Sequence, residues 1–201
     1  MSHFTYLGQL FTENGKNDKE IKRRIEIARN TFNRMKPLLT SRKLQIKTRI
    51  RLLKCYVYSI LLYGAETWTI SKKSSQRIKS FETWCLRRIL KVSWTEKKTN
   101  QEIFKMSESR PELIQKVVKL KMKYAGHIMR HNSLQKALLE GMVEGKRARG
   151  RQRMTWMTNI MEWSGTPTYS ECCRVAEDRD RWRSVIADAL EEHDTNSLKH
   201  G

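Results

Sequence analysis

Apolar residues recur along most of the chain at intervals of three and four, the spacing that places them on one face of an α-helix. This pattern predicts helices at about 18–35, 42–63, 75–91, 100–106, 110–130, 153–163 and 168–189. The first residues differ, because Phe4–Thr12 is rich in aromatic and β-branched side chains and precedes the turn signal Asn14-Gly15. The sequence therefore predicts a mainly α fold, in which a short N-terminal β-hairpin is followed by amphipathic helices.

Several helix ends carry capping or breaking signals. The spacing of an N-terminal cap occurs in four pairs: Asn17 with Glu20, Thr99 with Glu102, Ser109 with Glu112, and Thr168 with Glu171. Pro37 is expected to stop the first helix, and Gly64 can end the second. The helices are predicted to form two small helical units, residues 1–95 and 96–201.

The balance of charge is strongly positive. The chain of 201 residues contains 41 Lys and Arg against 21 Asp and Glu, a net charge of +20 that is spread over its whole length. Such a field indicates a nucleic-acid partner, with an anionic membrane as the weaker alternative. No apolar run is long enough to span a membrane, and the N-terminus lacks the pattern of a secretory signal. We expect an intracellular protein, nuclear or cytoplasmic and not secreted, whose Cys residues are free thiols.

The densest positive charge lies in the stretch GKRARGRQR at 145–153. Arg side chains hold phosphate in two-point geometry, and flanking glycines let backbone N–H groups approach it. The candidates for nucleic-acid binding here are Lys146, Arg147, Arg149, Arg151 and Arg153. A nuclear-localisation signal is the alternative for this run. Trp156 just beyond it could stack on an unpaired base, although its helical stripe with Ile160 favours a core position.

Two further sets of residues are candidates for nucleic-acid contact. Lys47, Arg51 and Lys54 form a basic face on the second predicted helix, which can neutralise phosphates without reading sequence. A merely solvated helix face is the alternative. His127 and Arg130 form the second set, with packing as the alternative for His127.

His127 and His131 are four residues apart, a spacing that two metal ligands on a helix can have. Cys172 or Cys173 could complete such a site. However, no second ligand pair with two to four intervening residues exists, and the Glu of a helical zinc-protease motif is missing. The sequence therefore predicts neither a metal nor another cofactor.

Five phrases stand in the order YLGQLFTENGKNDKEIKRRI, LLYGAETWTI, FETWCLRRILKVSWTEKKTNQEI, KYAGHIMR and EGKRARGRQRMTWM. Together they resemble the C-terminal part of endonuclease-reverse transcriptases of non-LTR retrotransposons (LINE elements), above all the RTE and BovB-like lineage. The resemblance implies that Tyr6-Leu7-Gly8 lies at the end of the polymerase palm. Residues 1–95 would then be a residual palm hairpin plus a thumb-like helical unit, and 96–201 a basic helical C-terminal region.

The resemblance implies a parent activity of RNA-directed DNA synthesis, which needs paired palm aspartates to hold two divalent metals. The chain contains no Asp-Asp pair. We therefore expect a truncated copy or fragment that starts at an internal Met and is not an enzyme by itself. Its partners would be RNA or DNA, as template, primer or target strand, without a membrane or a small-molecule substrate. Two alternatives are a stand-alone RNA- or DNA-binding protein domesticated from such an element, and a structural interaction module whose charge serves solubility.

Replacing all five basic residues of the 145–153 stretch by Gln should weaken binding to RNA and DNA alike. We expect the fold to survive, because surface substitutions usually change stability by only about 0.5 kcal/mol. If three to five of these residues touch phosphates, the log–log slope of affinity against salt should fall in magnitude by about 2 to 4.5. Titration of duplex and single-stranded oligonucleotides at several salt concentrations measures this slope. An unchanged slope with unchanged helicity would refute the assignment.

Overall fold

In the computed structural model, which describes residues 3–12, 17–140 and 155–199, an N-terminal hairpin is followed by helices. The bounds are β1 His3–Tyr6, β2 Gln9–Thr12, α1 Asp18–Leu39, α2 Ile46–Leu52, α3 Ser59–Leu61, α4 Lys72–Leu90, α5 Asn100–Met106, α6 Leu113–Arg130, α7 Leu134–Leu139, α8 Trp156–Ser164, α9 Tyr169–Glu177 and α10 Arg179–Lys199. A π-helical segment, Leu53–Tyr58, joins α2 to α3. The predicted mainly α class with an N-terminal hairpin is confirmed. None of the described helices is both long and apolar enough to cross a membrane.

The hairpin turns at Leu7-Gly8, before the turn signal Asn14-Gly15. Tyr6 pairs with Gln9 across the antiparallel strands. The φ angles are 47° at Leu7 and 75° at Gly8, the left-handed pair that a two-residue type I′ turn requires. The Asn14-Gly15 dipeptide lies outside the described residues.

A buried ion pair on α1 fixes the hairpin to the helices. Glu20 accepts hydrogen bonds from the Leu10 N–H at 3.0 Å and from Arg24 Nε at 2.7 Å. Arg24 also donates to the carbonyl of Gly8 in the turn. Asn17 makes no side-chain cap on α1. The predicted Asn17–Glu20 capping box is therefore wrong, because the Glu20 carboxylate is used to hold the hairpin.

The ends of the next helices follow their local sequence only in part. α1 runs past Pro37 to Leu39, so the proline does not stop it. Pro37 removes one helical hydrogen bond, but Leu39 is fully buried in the core, and this packing stabilises the last turn. Gly64 follows α3 with a φ of 71°, as predicted. Ser71 accepts the Ser74 N–H at 3.1 Å and starts α4 earlier than predicted.

The start of α6 is capped by a carboxylate from another helix. Glu82 of α4 is 1% exposed, and its Oε1 accepts the N–H of Glu112 at 2.9 Å and that of Leu113 at 3.3 Å. Burial raises the pKa of Glu82 to about 7, although these two hydrogen bonds act to lower it. The predicted capping box of Ser109 with Glu112 is therefore wrong.

The other two predicted caps are confirmed. At α5, Thr99 Oγ1 accepts the Glu102 N–H at 3.2 Å, and Glu102 Oε2 accepts the Thr99 N–H at 2.6 Å. At α9, Thr168 Oγ1 accepts the Glu171 N–H at 3.2 Å. These caps could be predicted because both partners lie within one turn of the same helix.

Two hydrophobic clusters share α6. The first combines α1 to α5 with the start of α6 and includes Ile103, Leu113 and Val117. The second begins at the next residue, Val118, and joins the rest of α6 to α8, α9 and α10. Packing of the first cluster thus extends past residue 95, and the division of the chain into 1–95 and 96–201 stays a prediction.

A buried polar network connects the two clusters beside α6. Asn159 Oδ1 of α8 accepts from Lys121 Nζ and from the Ile70 N–H, both at 2.7 Å, and its Nδ2 donates to the Ile70 carbonyl at 3.0 Å. Lys121 is 0% exposed, and its Nζ lies 5.2 Å from the ring centroids of Trp156 and Trp163. Removal from water lowers the pKa of Lys121 to about 7.

Lys121 should make folding more favourable as the pH rises from about 7 towards 10. Its folded pKa of about 7 lies below its usual 10.5. In this window the unfolded chain holds the proton and the folded protein does not, so raising the pH favours the folded state. Urea unfolding of the protein and of Lys121→Met at several pH values measures the effect. The free energy of unfolding of the unsubstituted protein, minus that of Lys121→Met, should increase with pH.

The matched control is Lys119→Met, which removes the same charge from an exposed position on α6. Its difference from the unsubstituted protein should stay nearly constant over the same range. If Lys119→Met and Lys121→Met showed the same pH dependence, Lys121 would not be the group responsible.

Candidate nucleic-acid interface

The predicted basic face of Lys47, Arg51 and Lys54 lies on α2 and the π-helical segment, beside the start of α6. The Lys47 side chain is 78% exposed, with Nζ 3.4 Å from a carboxylate oxygen of Glu108, and Arg51 is also exposed. Lys54 is half-buried, with Nζ 3.0 Å from Glu112. Two of the three predicted cations form ion pairs with carboxylates. The net charge of this face is therefore less positive than Lys47, Arg51 and Lys54 alone would give.

His127 and Arg130 lie in the last turn of α6, about 25 Å along the helix from the end beside Lys54. His127 is exposed, and its ring centroid lies 4.5 Å from that of His131. Arg130 is half-buried, where burial lowers its pKa, and its Nη1 donates to the carbonyl of Ala176 in α9 at 2.7 Å. Arg130 therefore connects α6 to α9, in addition to its predicted contact with nucleic acid.

The predicted residues that the structure describes do not come together in one site. Those that it describes form two groups at opposite ends of α6. The other five lie outside the described residues: Lys146, Arg147, Arg149, Arg151 and Arg153.

Gly126, beside His127, has a packing role. The Trp182 side chain of α10 is buried against α6, where its Nε1 donates to the Met122 carbonyl at 2.9 Å. A Cβ added at Gly126 would lie 2.4 Å from that nitrogen. Glycine is needed here because α6 and the indole approach so closely.

Neither the histidine pair nor Trp156 forms a ligand site in the described part of the chain. No group of three or more His, Cys, Asp or Glu side chains there could hold a metal ion. Trp156 is half-buried, its Nε1 donates to the Glu66 carbonyl at 2.8 Å, and its ring meets the edge of Tyr124 with centroids 6.1 Å apart. These contacts fit the core interpretation of Trp156 better than base stacking.

A cationic groove along α4 was missed by sequence reasoning; α1 borders one end of it, and Val92 and Asn100 border the other. It consists of two adjoining depressions of about 530 and 480 Å³ that both border Trp84, and we call it the Trp84 groove. Its basic lining residues are Lys22 and Arg29 of α1, and Arg77, Arg87 and Arg88 of α4. Among the lining residues, Glu26 is the one carboxylate. The groove therefore carries an excess of positive charge.

Trp84 orders two of these cations. The guanidinium carbons of Arg88 and Arg29 lie 4.4 Å and 5.1 Å from its ring centroid. The indole is itself held by Phe81, stacked at 5.8 Å, and by the edge of Phe32 at 5.0 Å. The i, i+4 spacing of Trp84 and Arg88 was a sequence signal for this contact. Arg29 lies on another helix, and no local pattern could have placed it there.

The described molecule is thus a mainly helical protein with excess positive charge and a cationic groove. It is similar to an uncharacterized transposon-derived protein of Caenorhabditis elegans, with 28% identity over 200 residues that cover 92% of this chain and 70% of that protein. Neither a protein-family model nor a solved structure matches the chain. The similarity supports a transposon origin for the chain.

Gly126→Ala should destabilise the protein by about 1–3 kcal/mol, the usual cost of overpacking a core. Helix propensity alone would instead favour Ala by about 1 kcal/mol, so a loss of stability identifies the contact with Trp182. Urea unfolding measures the change. In a Trp182→Leu background, where the indole is gone, the same substitution should cost much less. Equal costs in both backgrounds would contradict this explanation.

Proposed function

We propose that the chain is a nucleic-acid-binding fragment of a retrotransposon reverse transcriptase of the RTE/BovB-like type. It would hold template, primer or target strand and perform no catalysis. The observation that carries the proposal is the charge balance. The 41 Lys and Arg exceed the 21 Asp and Glu by 20, so even complete internal pairing would leave 20 uncompensated cations. A phosphate backbone is a polyanion that such a surface attracts, because Lys and Arg neutralise phosphates and release counterions.

The described basic face can exchange its present partners for phosphates at small cost. The ion pairs of Lys47 with Glu108 and Lys54 with Glu112 are exposed or half-exposed. Pairs of this kind contribute about 0–1 kcal/mol. Together with the exposed Arg51, these residues are proposed to contact the backbone without reading bases. His127 is proposed to donate a hydrogen bond to phosphate.

Two comparisons support the proposal, the first for the reverse-transcriptase parentage and the second for a transposon origin. The five sequence phrases stand in the order of the C-terminal part of these reverse transcriptases, and the relative from Caenorhabditis elegans is named as transposon-derived. The absence of catalysis is proposed because the chain contains no Asp-Asp pair to hold the two metals of polymerisation. The site of action is proposed to be nuclear or cytoplasmic.

The purified chain should bind short duplex and single-stranded oligonucleotides with an affinity that falls as salt rises. The triple variant Lys47→Gln, Arg51→Gln, Lys54→Gln should reduce the magnitude of the log–log salt slope by up to about 2 to 2.7, at 0.7 to 0.9 per lost contact. With Mg²⁺ and nucleotides, the chain should not extend a primed RNA template. Binding titrations at four salt concentrations and a primer-extension assay measure both.

Each outcome separates the proposal from an alternative. Absent or salt-independent binding would contradict it and favour an interaction module whose charge serves solubility. Primer extension that survives repurification would contradict the absence of catalysis. Glu108→Gln with Glu112→Gln is the control, and removing these two carboxylates should strengthen binding.

A further inference from the structure

We propose that the Trp84 groove binds the sugar–phosphate backbone of a nucleic-acid strand, with Arg29 and Arg88 holding phosphates and Trp84 orienting them. The inference rests on the proposed nucleic-acid-binding function and gives that function a surface that none of the predicted residues forms.

The groove has the charge that a phosphate backbone requires. Its lining residues include several Lys and Arg but one carboxylate, Glu26. Glu26 lies 3.5 Å from Arg29 Nη1, and both side chains are well exposed, at 60% and 40%. An exposed pair of this kind is weak, so a phosphate can take the place of the carboxylate.

The guanidinium groups of Arg29 and Arg88 both lie over the Trp84 ring. A guanidinium that stacks on an aromatic face keeps its N–H groups in its own plane, where they can form a two-point contact with phosphate. Arg29 Nε is buried and has no hydrogen-bond partner among the described residues. Because Phe81 and Phe32 hold the indole, little side-chain freedom remains to be lost on binding.

The shape of the groove fits a strand better than a single small anion. Arg77, Trp84 and Arg88 follow one side of α4, and Arg77 and Arg88 are separated by about 16 Å at 1.5 Å per residue. That length corresponds to about five nucleotides at 3.4 Å per nucleotide of one strand. Both depressions border Ser80, whose hydroxyl can donate to a phosphate or sugar oxygen along this path.

The test compares three double variants with the unsubstituted chain. Arg29→Gln with Arg88→Gln removes two phosphate contacts and should lower the magnitude of the salt slope by about 1.4 to 1.8. Arg29→Lys with Arg88→Lys keeps both charges but cannot stack as a planar fork. It should preserve the slope and lose affinity at every salt concentration. Arg174→Gln with Arg181→Gln removes two exposed charges from α9 and α10 and should change the slope less.

The outcomes distinguish this inference from the function on which it rests. If the unsubstituted chain does not bind oligonucleotides, the proposed function fails. If it binds but the groove variants match the Arg174 and Arg181 control, only the groove assignment is overturned. If polyaspartate competes as well as an oligonucleotide of equal charge, the groove accepts acidic protein segments and the nucleic-acid assignment is wrong. Urea unfolding confirms folding, and the Lys variant provides the test should the Gln variant unfold.

Discussion

Helix α6 has to satisfy two hydrophobic cores at once, and the rest of the described structure is arranged around that requirement. Its buried residues up to Val117 pack into one cluster, and those from Val118 onward pack into the other. Burial of the helix leaves polar groups that water cannot reach, and each needs a partner from another element. Glu82 accepts the N–H groups at its start, Asn159 accepts a hydrogen bond from Lys121 Nζ, and Arg130 donates to the carbonyl of Ala176 in α9.

These buried contacts also determine how charge is distributed. Some buried charges pair within one helix, as in the contact of Glu20 with Arg24 below the hairpin. Such a pair uses one cation for each carboxylate, so the excess of 20 cations in the sequence remains. On α4, Trp84 is held against the first core and presents two arginines beside it. The same aromatic packing that stabilises the helices thus arranges the cationic surface, linking the fold to the proposed binding function.

Local patterns predicted the features whose partners are close in sequence. The apolar stripe of α6 is confirmed because its residues recur at intervals of three and four along one helix. The cap of Thr99 with Glu102 is confirmed because both partners lie within one helical turn. The same reasoning was wrong for Asn17 with Glu20 and for Ser109 with Glu112. In both cases a contact with another element replaced the expected cap. Glu20 accepts the Leu10 N–H of the hairpin, and the first N–H groups of α6 donate to Glu82 of α4. A capping pattern indicates that a hydrogen bond can form. Whether it forms depends on whether residues of other elements offer the same groups a different partner.

The amino-acid sequence by itself determined the helical class, most helix positions and the positive charge, since these depend on periodicity and composition. It also contained the candidate residues, but not their arrangement. Tertiary structure alone decided that Lys121 is buried and that Gly126 packs against the Trp182 indole. It also decided that Arg29 of α1 lies over the Trp84 ring of α4. The physical reason is the range of the interactions. Helix formation is governed by neighbours within four residues, whereas burial, desolvation and the clustering of charge depend on residues that only folding brings together.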